Sequence, residues 1–333
     1  MRPPLLIVNP KCGTSSTARS LTQVLAAVER ALGDVVIRYT ARRGHARELA
    51  LEGTREGHPL IVAVGGDGTF SEVANGVLMA ETTGGATAGP GASPGGGSAD
   101  SADNTGPAVG LINVGTGGDF RRTLGIGPSF EQCLEAIALG RERLVDVGLA
   151  SFTGTDGAPI QQYFVNVLSA GLGGLVDKYI ETAPAFLGGT AAYYLASLRA
   201  VLVGKEQPLT ARITWEGETR EEIIPAYLIA ICNGRWFGGG MDIAPMALPD
   251  DGRFEVLTIT ERNKLYLAAK IRKVYPGRHL DEPTVQHFPC HRIELRLANE
   301  AANRRFLLDV DGDPLGSLPL VVEVVPRRLR IRA

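Results

Sequence analysis

The 333-residue chain sets 34 basic against 36 acidic side chains, a formal net charge of −2. That balance gives no bulk attraction to nucleic acid or to a membrane, though so many cations leave room for a local basic patch. With 44% hydrophobic and 21% charged residues it reads as a globular protein of one large or two ordinary domains, not a disordered or fibrous one.

Leu5–Val8 is a short apolar strand that ends in the turn Asn9-Pro10-Lys11-Cys12-Gly13. It is too short for a signal segment, and no run approaches the roughly 18 apolar residues of a membrane-spanning helix. Cys12, Cys133, Cys232 and Cys290 lie far apart, which suits a reducing cytoplasm rather than a disulfide framework. Leu21, Val24, Leu25, Val28 and Leu32 keep helical spacing over Leu21–Leu32, and Gly33 closes the helix. Val35–Tyr39 is a second strand and Ala46–Glu56 a second helix. Leu60–Val64 is a continuous apolar run, as a buried parallel strand requires. Gly65–Thr69 turns it into a helix from Phe70 to about Ala80, and Val109–Ile112 is another buried strand. This alternation predicts an α/β domain: a parallel sheet with helices on its faces.

Residues 81–107 are rich in Gly, Ala and Ser and lack apolar periodicity, which reads as a flexible surface insertion. From about Arg143 strands dominate: Tyr163–Ser169, Leu209–Trp215, Ile223–Cys232, Phe254–Thr260, Arg292–Leu297 and Phe306–Val310, with helices near Thr190–Val203 and Lys264–Tyr275. This half predicts an antiparallel sheet or sandwich. The expected domains are 1–140 and 141–317, with the strands of 318–333 free to return to the first.

The strongest chemical signal is Gly65-Gly66-Asp67-Gly68-Thr69 with Glu72. A buried strand ends, glycines allow close backbone approach, and a helix start offers N–H groups to phosphate. Thr69 and Glu72 are spaced as a capping box. Gly115-Thr116-Gly117-Gly118-Asp119, with Asp119 a second acid or a helix cap, and Asn9–Gly13 also follow strands. All three loops would meet at the strand ends, where open α/β sheets bind ligands. Neither GxxxxGK[ST] nor a GxGxxG after the first strand occurs, which argues against P-loop and dinucleotide-binding domains. Late in the chain, Asp309-Val310-Asp311-Gly312-Asp313 is a hairpin turn that could also supply a proton-accepting carboxylate. Asp250-Asp251-Gly252 is a turn whose oxygens could hold a hard cation. His287, Cys290 and His291 are a poor zinc set, because Pro289 breaks the helix that would align them. Trp236 and Phe237 could line an apolar site or simply pack the core.

In this order and nearly end to end, the motifs resemble the diacylglycerol kinase catalytic-domain family, which spans bacterial diacylglycerol kinases, YegS-like lipid kinases, and sphingosine and ceramide kinases. Asn9–Gly13 is similar to NPxSG, with Cys12 for serine; Thr40 and Gly44-His45-Ala46 to T…GHAxELA. Gly65–Gly76 is similar to GGDGTxxEVxNG, and Gly115–Arg122 to GTxNDFAR, with Gly118 where asparagine is usual. Asp311-Gly312-Asp313 is similar to DGE, with a shorter acid last. The resemblance implies an NAD-kinase-like nucleotide-binding α/β domain, a C-terminal antiparallel β-sandwich, and a site between them. It implies ATP contacts from Asn9, Pro10, Lys11, Cys12, Gly13, Thr40, Gly65, Gly66, Gly68, Thr69, Glu72, Gly115 and Thr116. Asp67 and Asp119 would organise Mg²⁺–ATP, and Asp311 or Asp313 would take the proton of a lipid hydroxyl. Asp251, with the carbonyls of Leu248 and Arg253, would hold a structural Mg²⁺. The expected partner is a membrane lipid, met by a cytoplasmic protein in transient contact with the inner membrane surface. A homodimer is left open, and nucleic acid is not expected.

Overall fold

A computed structural model describes residues 2–12, 21–84, 106–115, 117–180, 189–260, 263–298 and 306–333. Gly13, Thr116 and most of the 81–107 stretch lie outside them. The first half contains β1 (Leu5–Val8), α1 (Leu21–Leu32), β2 (Val36–Tyr39), α2 (His45–Arg55), β3 (Leu60–Gly65), α3 (Asp67–Gly84), β4 (Ala108–Asn113), α4 (Asp119–Thr123) and α5 (Phe130–Leu139). β4, β3, β1 and β2 lie side by side and all parallel. β1, β3 and β4 are buried along their whole lengths, which is why they read as unbroken apolar runs. One core packs α2 and α3 against this sheet through Leu5, Ile7, Ala63, Phe70 and Val73; a second packs α1 and α5 on the other face through Leu6, Val8, Val28 and Ile137.

The second half runs β5 (Glu142–Gly154), β6 (Pro159–Phe164), β7 (Val167–Gly171), α6 (Leu172–Ile180), α7 (Gly189–Val203), β8 (Gln207–Trp215), β9 (Glu218–Ala226), β10 (Leu228–Cys232), β11 (Trp236–Phe237), β12 (Met241–Asp242), β13 (Phe254–Ile259), α8 (Lys264–Lys270), β14 (Val285–Cys290), β15 (Arg292–Leu297), β16 (Leu307–Val310) and β17 (Asp313–Arg332). Two antiparallel layers, β14-β13-β10-β7-β16 and β9-β8-β15, with β5 and β6 beyond β17, enclose a core of Phe164, Leu168, Ile213, Ile231, Phe254 and Leu320. β17 joins everything. It pairs with β16 at its start, with β15 and β5 along its middle, and with β4, in parallel, at Ile331.

The architecture is therefore the expected NAD-kinase-like α/β domain plus β-sandwich. Several details differ from the sequence reading. The Tyr163–Ser169 and Ile223–Cys232 runs are each two strands, and the two final strands are one, bulged between Val325 and Leu329. The long helix near Lys264–Tyr275 stops as an α-helix at Lys270 and tightens into a 3₁₀ turn over Ile271–Lys273.

Candidate active site

The strand ends bring the first three loops together through backbone bonds. Asn9 N–H donates to the Val64 carbonyl (3.0 Å), Thr40 N–H to Val8 (2.9 Å), and Val114 N–H to Gly65 (3.0 Å). A Cβ on Gly115 would stand 3.0 Å from the Gly66 Cα, so the two glycine loops touch backbone to backbone. Asn9 Nδ2 donates to Thr69 Oγ1 (3.3 Å). One cleft follows, lined by Asn9, Lys11, Cys12, Thr40, Gly66, Gly68, Thr69 and Glu72, together with Arg42 and Arg43. Gly65 lies buried below it at the end of β3, and Pro10 is exposed beside it. Polar groups from three distant stretches converge beside the N-terminus of α3, where free N–H groups and the helix dipole favour an anion.

α3 begins at Asp67, so Thr69 and Glu72 do not form a capping box. Glu72 instead caps the neighbouring helix: Gly44 N–H donates to its Oε1 (2.7 Å) and Ala46 N–H to its Oε2 (3.0 Å). Gly44 has no side chain with which to cap α2, and Glu72 supplies the acceptor. Asn75 is likewise structural. Its amide donates to the Tyr163 carbonyl (2.8 Å) and accepts from the Tyr163 N–H (3.0 Å), tying α3 to β6 as a strand would.

Asp67 receives N–H groups from Gly118 (2.6 Å), Asp119 (3.1 Å) and Phe120 (3.3 Å), so its carboxylate holds the start of α4. Gly118, not Asp119, is the N-cap. It sits at φ +102°, and a Cβ there would come 2.7 Å from Asn113 Nδ2 and 2.9 Å from Arg121 Nε. Glycine therefore suits this spot, where an asparagine would have to displace both side chains. Asp119 accepts from Gly239 N–H (2.7 Å) and pairs with Arg122 (2.7 Å). Burial, then the adjacent Asp67 charge, pushes its pKa up to about 6. A carboxyl whose folded pKa lies above its unfolded value contributes stability below the unfolded value, lost as pH rises through about 6. The shift corresponds to about 3 kcal/mol. Asp119→Asn is thus expected to flatten the stability profile between about pH 4 and 6 relative to the parent, as read from denaturation midpoints across that range.

Asp311 is the most heavily bonded acid of the site. Its Oδ2 accepts from Ser71 Oγ (2.8 Å) and Val165 N–H (2.9 Å), and its Oδ1 from Asn166 (3.0 Å) and Val167 N–H (3.1 Å). Burial raises its pKa to about 6 against the pull of these donors. Asp313, two residues on, is half-buried and pairs with Arg43 across the junction of the two halves.

Asp67, Asp119 and Asp311 all line one cavity. Beyond these aspartates the walls are mostly apolar, Leu172, Val176, Val201, Leu228, Ile259, Ile271 and Val274 among them, with Lys270, His279 and Glu282 also in the lining. Phe237 lines it, whereas Trp236 contributes a carbonyl that accepts from Asn166 Nδ2 (2.8 Å).

The Asp250–Gly252 turn is anchored by a residue the sequence reading missed. Asp146, fully buried, accepts from Gly252 N–H (2.6 Å) and Arg327 N–H (2.7 Å). Asp251 faces Arg253, its Oδ2 3.0 Å from the Arg253 Nε, and Leu248 is exposed. A cation held by Asp251 and the carbonyls of Leu248 and Arg253 would have to displace that guanidinium. Among the described residues no group of three or more His, Cys, Asp or Glu is placed to hold a metal. Cys290 is buried in the sandwich core and His291 packs on Trp215, so their strand positions separate them.

The diacylglycerol kinase catalytic domain model matches residues 3–150, and the YegS C-terminal NAD kinase beta sandwich-like domain model matches 166–333. A Chromohalobacter salexigens protein named "Probable lipid kinase YegS-like" is 30% identical over 261 residues, covering 76% of this chain and 70% of its own. The Bacillus subtilis protein named "Diacylglycerol kinase" is 26% identical over 318 residues, covering 94% and 90%. A Bacillus anthracis diacylglycerol kinase structure superposes with a TM-score of 0.66 at 22% identity, covering 99% of this chain and 96% of that one, a likeness of fold. With both halves of the chain matched in order, and the acids of the two halves meeting in one cavity, the chain belongs to the diacylglycerol kinase and YegS-like family of lipid kinases.

Proposed function

We propose that the chain transfers the γ-phosphoryl group of ATP to the hydroxyl of a membrane lipid, diacylglycerol, ceramide or a sphingoid base. The observation that carries this reading is the lining of the cavity: Asp67, Asp119 and Asp311 near the glycine loops, and mostly aliphatic walls elsewhere. Such a site accepts a small polar head and a long apolar tail. A soluble ribose, the acceptor in an NAD kinase, would leave those walls uncovered.

ATP lies in the cleft of Asn9, Lys11, Thr40, Gly66 and Thr69, with its phosphates at the N-terminus of α3. Asp67 and Asp119, adjacent on the cavity wall, would be the hard oxygen donors for the Mg²⁺ that accompanies ATP, which would offset charge on the phosphates. N–H groups and the dipole of α3 stabilise charge on the transferring phosphoryl group. Asp313, rather than Asp311, takes the lipid proton, although it lines not the cavity itself but the neighbouring pocket of Arg43, Ser71 and Glu72, so the lipid hydroxyl must reach it past Gly312. The four donors on Asp311 occupy the acceptor sites of its carboxylate. Asp313 is held chiefly by Arg43, which also lines the nucleotide cleft. Triphosphate competes for that guanidinium, and its departure frees Asp313.

The test is incubation with γ-labelled ATP, Mg²⁺ and a panel of diacylglycerol, ceramide, sphingosine and NAD. Label in one lipid is expected. Label in NAD alone would overturn the reading, and ATP binding with label nowhere would make the chain a sensor.

A further inference from the structure

The glycine loop before α4 departs twice from the pattern it resembles, and the two departures touch. Gly118 stands where GTxNDFAR has asparagine, and Arg121 where it has alanine. A Cβ on Gly118 would come 2.9 Å from Arg121 Nε and 2.7 Å from Asn113 Nδ2. The guanidinium therefore takes room that a side chain at 118 would need, and only the bare glycine leaves it free.

Arg121 is 4% exposed. Its Nη1 donates to the Ile126 carbonyl, and its own carbonyl accepts from the Ile126 N–H (3.1 Å). Its Nε has no hydrogen-bond partner among the described residues, and neither has Oδ1 of the adjacent Asn113. Other arginines of the site are paired with acids: Arg43 with Asp313, Arg122 with Asp119 and Arg235 with Asp242. Arg121 forms no ion pair among the described residues. A guanidinium keeps its charge when buried, and a buried charge without a carboxylate partner is unfavourable for folding. Packing alone gives no reason to place one here.

A reason lies next to it. Asp67 and Asp119 are near enough for their charges to act on Arg121. A triphosphate reaching the N-terminus of α3 meets these two acids, and like charges repel. A cation behind the loop offsets that repulsion, and its burial limits screening by water and salt.

We propose that Arg121 is a positioning residue for the nucleotide: its buried charge, housed in the space left by Gly118, draws the phosphates of ATP onto the glycine loops. The proposal rests on the nucleotide reading of the cleft, not on the lipid reading. Binding of ATP, ADP and adenosine to the full chain is measured by calorimetry with Mg²⁺ and without lipid, beside urea midpoints. Arg121→Met keeps the bulk and removes the charge. It is expected to weaken ATP by about tenfold or more and ADP by less, and to leave adenosine within about twofold of the parent. The urea midpoint should stay level or rise, because an unpaired buried charge has gone. Arg121→Lys, which keeps a cation there, should hold ATP within about threefold of the parent. A residue that merely braces the loop behaves otherwise. Affinity for all three ligands falling together with the midpoint would overturn the proposal, and so would parent-like ATP binding by Arg121→Met. If the parent binds no nucleotide, the cleft is misread and the proposal falls with it. If the parent binds ATP yet labels no lipid, the lipid reading fails and the binding result still decides Arg121.

Discussion

Asp313→Asn is expected to lower turnover by about 10²–10⁴-fold, the usual worth of a positioned general base, with the KM for ATP unchanged or reduced. The KM follows from Arg43: the substitution removes the carboxylate that otherwise competes with phosphate for this guanidinium on the wall of the nucleotide cleft. Asp313→Glu keeps the acid and lengthens it by one methylene, so it should retain most of the activity. Steady-state kinetics with both substrates varied will show it. Turnover within about twofold of the parent, or a defect confined to the KM for ATP, would remove Asp313 from the chemistry.

The second large effect is on stability. Asp311→Ala strips the acceptor from Val165, Asn166 and Val167 N–H and from Ser71 Oγ together. Each orphaned buried donor costs about 1–3 kcal/mol, so the variant should lose about 3–5 kcal/mol after partial relaxation. Because Ser71 lies on α3 and residues 165–167 join β6 to β7, the loss falls where the two halves meet. Urea midpoints are expected to drop, with ATP binding and transfer falling in step. A variant that stays as stable as the parent yet binds ATP and transfers nothing would instead make Asp311 the base.

These expectations reverse the emphasis that the sequence permits. Asp311 and Asp313 stand in one short motif, and nothing in their order separates strut from base. What separates them is the donors on each, three of which are backbone groups 144 to 146 positions earlier. Glu72 shows the same limit: its spacing from Thr69 suits a local capping box, yet it serves α2 because Gly44 leaves that helix end bare. Asp146 carries no motif at all, and its role depends on Gly252 and Arg327 arriving beside it. The parallel sheet and its glycine turns were legible because a strand buried on both faces must be uniformly apolar and a close backbone approach must be glycine. One local signal was readable and passed over: Ser129 and Gln132 form a reciprocal capping box that starts α5. The apolar cavity left no trace of its own, since aliphatic side chains serve a core and a lipid alike.

β17 has a bearing on how the protein can be dissected. Its twenty residues begin at the acidic turn, run through the sandwich and finish hydrogen-bonded beside β4. Cutting the chain between residues 140 and 141 therefore separates sequence but not structure. The amino-terminal fragment would forfeit a neighbour of its innermost strand and present a bare, strongly apolar edge ready to recruit copies of itself. The remainder would carry a strand end with nothing left to lie against. Heterologous production of either piece calls for the other in the same cell.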